Sequence, residues 1–237
     1  MTQPARVILI TGASGGIGRA CAISLSQAFT SPLVLVLSGR KIAELQETAK
    51  QLRAGTVAEL VVGDVSAEDD VHAMFELVKA KFGRLDLLFN NAGVDLLNSV
   101  PLEQADMNTF RQVLEINVMA AVICTKEAIK IMKEQTPQGG RIVNNGSISA
   151  MSPRPNSAAY TVSKHAILGL SRSTSLDGHI GNAQTSLGGH AAKGCRQADG
   201  SVKPEPMMDV ENVGRTLVYL AGLPLGVNVQ KLEILWV

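Results

Sequence analysis

Short, continuously apolar segments separated by stretches of helical periodicity constrain this fold more than any other feature. Val7–Ile10 and Leu33–Leu37 are apolar at every position. This pattern is typical of strands in a parallel sheet that helices cover on both faces. Ala67–Phe82 and Ala158–Leu176 carry apolar residues at helical intervals between or after such strands. The alternation predicts the α/β class, with a single doubly wound parallel sheet.

Composition narrows the class of protein further. A chain of 237 residues, 46% of them hydrophobic, fits one domain over residues 1–237. Charged residues make up 18% and the net charge is +1, which disfavours a nucleic-acid partner. No apolar run reaches the ~20 residues that span a bilayer, and we expect a cytoplasmic protein without a membrane partner. Cys21, Cys124 and Cys195 lie far apart without metal-ligand spacing, so we expect reduced thiols and no metal.

A glycine-rich turn follows the first apolar segment directly. Thr11–Gly18 reads TGASGGIG and opens into a helical stretch. Glycines let the backbone turn tightly and let a phosphate approach a helix N-terminus, where free N–H groups and the helix dipole favour anions. The strand–turn–helix context therefore favours dinucleotide binding over an ordinary turn. The predicted cofactor-binding residues here are Gly12, Ser14, Gly16, Ile17 and Gly18.

The end of the second apolar segment bears on which dinucleotide is bound. Between Leu33 and Lys41 there is no acidic residue that could bind a ribose 2′-hydroxyl, whereas Arg40 is available for a 2′-phosphate. We therefore favour NADP over NAD. The alternative is that Arg40 is a solvated loop residue.

Further motifs follow in a fixed order. They are Gly63-Asp64-Val65, Asn90-Asn91-Ala92-Gly93, Asn117, Ser147 and Tyr160-x-x-x-Lys164. Together with the glycine turn, they resemble the short-chain dehydrogenase/reductase family along nearly the whole chain. The resemblance implies a Rossmann fold and an enzyme that interconverts an alcohol and a carbonyl on a small organic substrate, with NADP (NADPH) as the cofactor that Arg40 favours.

The predicted catalytic residues are Asn117, Ser147, Tyr160 and Lys164. Tyr160 and Lys164 are four residues apart, so on a helix they share a face. A neighbouring ammonium favours the phenolate, so we expect Lys164 to lower the pKa of Tyr160 from about 10 towards neutrality. The resemblance implies that Tyr160 is the general acid/base and that Ser147 binds the substrate oxygen. It also implies that Lys164 binds the nicotinamide ribose and that Asn117 holds a water that relays protons to the lysine.

The resemblance also implies other contacts. Further cofactor-binding positions are Asp64, Val65, Asn91, Ala92, Gly93, Lys126, Ile180 and Thr185. For Asp64 a helix-capping role is the alternative, and for Lys126 a solvated side chain. Relatives pair the long helix predicted over Met107–Lys133 across a two-fold axis, which implies a homodimer or homotetramer.

The chain departs from the family after the Tyr160 helix. Only three residues separate Leu176 from Ile180, where relatives carry a strand of about 5–6 residues with its connections. We therefore expect this strand to be shortened or missing, through a shortened gene product, residues absent from the sequence, or a rearranged sheet. An NADP-binding protein without turnover is the alternative function. Residues 185–206 are expected to form a substrate-side loop.

Overall fold

A computed structural model describes residues 5–97, 100–174, 180–186, 195–196, 202–203, 209–224, 227, 229 and 232–233. Seven parallel strands form the main sheet, in the order β3-β2-β1-β4-β5-β6-β9. The strand order reverses direction between β1 and β4. The predicted class, a doubly wound parallel sheet of the Rossmann type, is therefore confirmed.

The strands agree well with the apolar segments of the sequence. In chain order they are β1 (Arg6–Thr11), β2 (Leu33–Gly39), β3 (Val57–Val62), β4 (Leu87–Asn90), β5 (Gly140–Gly146), β6 (Ile180–Ser186), β7 (Cys195–Arg196), β8 (Val202–Lys203) and β9 (Leu232–Glu233). β7 and β8 pair with each other, antiparallel. A last strand is predicted over Val227–Leu235, and within it the described residues Leu232 and Glu233 form β9 and pair in parallel with β6.

The helices connect these strands. They are α1 (Gly16–Ala28), α2 (Ile42–Lys50), α3 (Glu68–Phe82), α4 (Met107–Leu114), α5 (Ala120–Glu134), α6 (Ala158–Thr174) and α7 (Val210–Gly222). A π turn, Glu115–Met119, joins α4 to α5, so the long helix predicted over Met107–Lys133 is present with one irregular turn. No helix among the described residues is long and apolar enough to cross a membrane.

The strand expected to be shortened or missing is present. Ile180–Ser186 forms seven-residue β6, and it pairs in parallel with all of β5, from Gly140 opposite Ile180 to Gly146 opposite Ser186. The expectation failed because it took Ile180 as the start of the loop that follows the strand, whereas the backbone uses these residues as the strand itself. The preceding residues 175–179 lie outside the described part of the chain.

Two apolar layers cover the two faces of the sheet. On one face, alternate residues of β1 such as Ile8 and Ile10 pack with α1 and α7. On the other face, Val7 and Leu9 pack with α3 and α5. Continuous apolar strands are needed because helices bury both faces of the sheet.

Candidate functional site

The carboxyl ends of β1 and β4 meet where the strand order reverses. In open α/β sheets this position forms a crevice in which ligands bind. Here it brings together the glycine turn after β1 and the Asn91–Gly93 segment after β4, which are 80 residues apart in sequence but hydrogen-bonded to each other. The predicted cofactor residues of both motifs therefore lie in one place.

The glycine turn leaves room for a ligand on one side and none on the other. A Cβ added at Gly18 would lie 2.3 Å from the carbonyl oxygen of Gly12, so the turn needs glycine there. By contrast, nothing lies within 4 Å of a Cβ built at Gly15 or Gly16. Gly15 caps α1 and has no side chain that could accept hydrogen bonds from the first N–H groups of the helix. This cradle fits a phosphate of a dinucleotide.

Asn91 and Thr11 fix the second segment to the glycine turn. The Oγ1 atom of Thr11 accepts hydrogen bonds from the N–H groups of Asn91 and Ala92, at 3.0 and 3.1 Å. The amide Nδ2 of Asn91 donates back to the carbonyl oxygens of Thr11 and Gly12, at 3.0 and 3.3 Å. These reciprocal bonds satisfy strand-end polar groups and give the floor of the crevice one defined geometry.

An open cleft lies on the β2 and β3 side of the turn. It is lined by Gly12, Ser14, Gly39, Arg40, Lys41, Glu44, Gly63, Asp64, Val65, Ala92, Gly93, Val94 and Ile116. Arg40 is exposed in this cleft. Hydrogen bonds from Ser66 lower the pKa of the Asp64 carboxyl, and the charge of Arg40 acts in the same direction. The Nζ of Lys41 lies 2.9 Å from the carboxylate of Glu44, so this second cation already has a partner.

A second cleft continues from the first towards α6. Its lining is Gly12, Gly15, Gly16, Ile17, Asn91, Ala92, Gly93, Val94, Asn145, Tyr160 and Lys164. The two clefts share Gly12 and the Ala92–Val94 segment, so they form one groove. The groove runs from Arg40 at one end to Tyr160 at the other, which suits an extended dinucleotide.

Tyr160 lies at the far end of this groove. Burial raises the pKa of Tyr160, while a hydrogen bond between its hydroxyl and that of Ser147 acts in the opposite direction. The charge of Asp95 raises this pKa further, and that of Arg154 lowers it. Ser147 follows β5 and is 4% exposed. The structure thus brings two of the predicted catalytic hydroxyls together.

Lys164 is buried beneath Tyr160, at 6% exposure. Its Nζ donates to the carbonyl oxygen of Asn145 at 2.8 Å and lies 5.4 Å from the centroid of the Tyr160 ring. Burial lowers the pKa of Lys164 to about 8. The expected lowering of the pKa of Tyr160 by Lys164 is not what the structure shows, because the ammonium is directed to a backbone carbonyl and burial of the phenol dominates.

Asn117 lies in the π turn between α4 and α5 and is buried. Its Oδ1 accepts from the N–H of Val94 at 2.7 Å, and its Nδ2 donates to the carbonyl of Val94 at 2.8 Å and to the Oγ of Ser163 at 3.1 Å. Extra turns of this kind often occur at functional sites. Both ends of the amide thus bind the backbone of Val94, and the role of Asn117 in holding a water stays a prediction.

The cofactor roles of three further residues stay predictions, and the structure gives the positions of these residues. Lys126 lies on α5, is not part of the lining of either cleft, and faces Glu68 at 3.8 Å. Ile180 is the first residue of β6, opposite Gly140, at the amino edge of the sheet and away from the groove. Thr185 lies within β6 opposite Asn145, near the carboxyl edge, instead of in a following loop. Apart from β6, β7 and β8, the substrate-side loop predicted over 185–206 lies outside the described residues.

Sequence reasoning missed Arg19 and Thr48, which hold the glycine turn in place. The Nε of Arg19 donates to the Oγ1 of Thr48 at 2.9 Å, and its Nη2 donates to the carbonyl of Ser14. Thr48 in turn donates to the carbonyl of Ala13 at 2.8 Å. Thr48 is on α2, and nothing in its local sequence indicates a contact with a turn 35 residues earlier.

Comparison with known proteins agrees with this geometry. The sequence profile of the short chain dehydrogenase family matches residues 6–182. A 3β-hydroxysteroid dehydrogenase of Mediterraneibacter gnavus is 34% identical over 172 residues, which cover 73% of this chain and 60% of that protein. A farnesol dehydrogenase of Aedes aegypti is 29% identical over 97% of this chain and 95% of its own length. NAD⁺-bound xylitol dehydrogenase superposes with a TM-score of 0.84 at 27% identity, covering 99% of both chains.

The Rossmann sheet, the glycine cradle and the groove ending at Tyr160 define a dinucleotide-binding α/β protein. With the profile match over three-quarters of its length, this chain belongs to the short-chain dehydrogenase family. Its alignment with the hydroxysteroid dehydrogenase spans 60% of that relative's length.

Proposed function

We propose that this protein is an NADP-dependent oxidoreductase that interconverts an alcohol and a carbonyl on a small organic substrate. The observation that carries the proposal is the single groove that joins the glycine cradle to Tyr160, Lys164 and Ser147. A nicotinamide cofactor bound there would supply hydride transfer, and the protein would bind and orient the reactants. The whole chain over residues 1–237 is proposed to act as one catalytic domain.

Each residue at the Tyr160 end has a defined task in this proposal. The Tyr160 hydroxyl gives a proton to the substrate oxygen during reduction or takes one during oxidation. Ser147 donates a hydrogen bond to the same oxygen. Lys164 binds the cofactor's ribose and supplies positive charge beneath the groove. Asn117 acts indirectly, because its amide holds the segment that lines the groove at Val94.

The electrostatics of Tyr160 favour one direction at neutral pH. Burial raises its pKa above the ordinary value for tyrosine, so the phenol stays protonated. The protonated form is the one that can donate to a carbonyl oxygen, which favours reduction. Oxidation needs the phenolate and is expected to gain rate as the pH rises.

We propose that Arg40 determines the preference for NADP over NAD. Arg40 is exposed in the cleft, and a guanidinium suits a 2′-phosphate. The similar xylitol dehydrogenase holds NAD⁺, so NAD is the alternative that direct titration must compare. At the other cleft positions, Asp64, Val65 and Gly93 are proposed to line the adenosine half.

The decisive experiment is carbonyl-dependent oxidation of NADPH, followed by absorbance, with a panel of ketones and aldehydes. We expect turnover in the wild type and loss of at least about a hundredfold in Tyr160→Phe, since acid/base groups contribute on that order. His165→Gln is the matched control, because His165 is exposed on the same helix and its Nδ1 pairs with the backbone carbonyl of Thr161. NADPH binding without turnover across the panel would instead support the alternative, a cofactor-binding protein without activity.

We also propose a homodimer or homotetramer, as the resemblance implies. Met119 at the end of the π turn and Val162 on α6 are both exposed, at 42% and 47%. Such apolar exposure on neighbouring helices suits an interface between copies. Light scattering at micromolar concentration tests this, and a monomer mass would contradict it.

A further inference from the structure

Asn145, near the end of β5, touches both halves of the candidate site. Its backbone carbonyl accepts the hydrogen bond from Lys164 Nζ at 2.8 Å. Its side-chain Nδ2 donates to the Oδ1 of Asn91 at 3.0 Å. Asn91 in turn donates to the carbonyl oxygens of Thr11 and Gly12 in the glycine turn. A continuous chain of hydrogen bonds therefore runs from the buried lysine to the turn.

The neighbouring groups determine how the side-chain amides of Asn91 and Asn145 are oriented. Asn91 must present its NH₂ group to two backbone carbonyls, which can only accept. Its Oδ1 therefore points to Asn145, which must present its own NH₂ group in turn. A flipped Asn145 would bring two amide oxygens together. The hydrogen bonds to the glycine turn therefore allow only one orientation of the Asn145 side-chain amide.

This arrangement leaves one atom unsatisfied. The Oδ1 of Asn145 is buried and accepts no hydrogen bond from the residues that the structure describes. An amide retained only for packing or stability is normally satisfied at both ends, since an orphaned buried acceptor costs free energy. The next residue back, Asn144, shows the ordinary case: it accepts from Asn90 and donates to Ser171. Asn145 therefore has a cost that its bond to Asn91 must offset.

We infer that Asn145 is a positioning residue that couples Lys164 to the glycine turn, so that the lysine and the phosphate cradle are held in register for one dinucleotide. This inference rests on the proposed function, because it deepens the roles given to Lys164 and the turn. The side chain anchors the Asn145 peptide to Asn91, and the same peptide presents its carbonyl to the ammonium. Neither bond involves a substrate, so the effect is on cofactor binding.

The test compares Asn145→Leu, which has a similar shape and no amide, with Asn144→Ala, which perturbs the same strand on its core side. NADPH affinity is measured by fluorescence titration, and thermal unfolding is measured without cofactor. We expect Asn145→Leu to weaken NADPH binding up to about tenfold, the range of one net hydrogen bond. Asn144→Ala is expected to lower the melting temperature with little change in NADPH affinity.

Two further readouts separate positioning from a merely structural role. If Asn145 acts through Asn91, then Asn145→Leu has no further effect in an Asn91→Ala background. Displacing Lys164 also relieves the burial that lowers its pKa, so the alkaline limb of NADPH binding should move upward from about pH 8 in Asn145→Leu. Among the described residues, Tyr160 is the ionisable group beside Lys164, and the charges of Asp95 and Arg154 act on it; the substitution changes none of these three side chains.

The outcomes are distinct. Additive effects of the Asn145 and Asn91 variants, or an alkaline limb that stays in place, would overturn the inference. If the wild type binds no NADPH, the proposed function fails. The hydrogen-bond chain is then judged by coupling between the two variants in cofactor-free unfolding, and additivity there also overturns it. Should Asn145→Leu lack a cooperative transition, Asn145→Ala takes its place in the same measurements.

Discussion

Replacing Lys164 by methionine should make this protein more stable at neutral pH. The lysine is 6% exposed, and burial lowers its pKa from 10.5 to about 8. The folded protein therefore binds the proton of this ammonium less tightly than the unfolded chain does, and keeping Lys164 charged at neutral pH costs stability. Methionine fills a similar volume without a charge, so it removes this cost, as expected if the lysine is retained for function.

The size of the effect follows from the pKa difference. A difference of about 2.5 units, at about 1.4 kcal/mol per unit, corresponds to a cost on the order of 3 kcal/mol at pH 7. The net gain on substitution is smaller, because the carbonyl of Asn145 loses its donor, which costs about 1–3 kcal/mol. The change with pH in the stability difference between Lys164→Met and the wild type therefore tests the pKa of Lys164 more directly than the difference at a single pH.

The sign of that dependence is determined by the two pKa values. Between about pH 8 and 10.5 the unfolded chain binds more protons at Lys164 than the folded protein does, so the wild type's free energy of unfolding rises with pH in this window. Below pH 8 the full cost is present. From pH 7 to pH 9 we expect the wild type to gain roughly 1 kcal/mol relative to Lys164→Met.

Urea unfolding followed by circular dichroism at pH 7, 8 and 9 measures this difference. Lys126→Met is the matched control, because Lys126 is 55% exposed and faces Glu68 at the surface. Its stability relative to the wild type should not change over the same pH range. A constant difference between Lys164→Met and the wild type from pH 7 to 9 would refute the view that burial holds the pKa of Lys164 low.

Three further predictions concern the cofactor groove. Arg40→Asp should weaken NADPH binding far more than NADH binding, because a 2′-phosphate would lose a cation and meet a carboxylate; equal losses by fluorescence titration would exclude this role. Glu44→Gln should raise the preference for NADPH severalfold by freeing the neighbouring lysine, whereas Glu47→Gln, which breaks a similar pair away from the cleft, should leave the ratio of the two dissociation constants unchanged. Gly18→Ala should lower the melting temperature by several degrees or prevent folding, because its Cβ would lie 2.3 Å from the carbonyl oxygen of Gly12; a melting temperature equal to that of the wild type would contradict the close approach.

The sequence was sufficient to predict the sheet and the glycine turn, for local reasons. Leu33–Leu37 can only be a strand buried on both faces, and a glycine run between strand and helix has one common geometry. Tyr160 and Lys164 were predictable as neighbours because helical periodicity alone places them on one face. These predictions depended on spacing within one element.

Predictions that depended on contacts between elements fared less well. The gap before Ile180 suggested a lost strand, yet the backbone shifts the following residues into the sheet, because an unpaired edge beside β5 would leave its N–H and C=O groups without partners. For Lys126 the resemblance implies a cofactor contact and a solvated side chain is the alternative; the structure shows it 55% exposed on α5, facing Glu68. Helical spacing gave no information about which neighbour it would meet.

For the charges of the site too, spacing within one helix was predictable, whereas the effects of tertiary packing were not. Residue types and spacing predicted that a lysine would stand beside the tyrosine, and it does. Whether that lysine lowers the pKa of Tyr160 depends on how deeply both groups are buried and where the ammonium points, and these are properties of the packed molecule. The carbonyl of Asn145 holds the ammonium, and burial governs both pKa values. The sequence by itself thus determined the strands, the helices and the neighbours within one helix. Desolvation of the ionisable groups and the hydrogen bonds between distant segments were decided only by the tertiary structure, because they arise when those segments pack together.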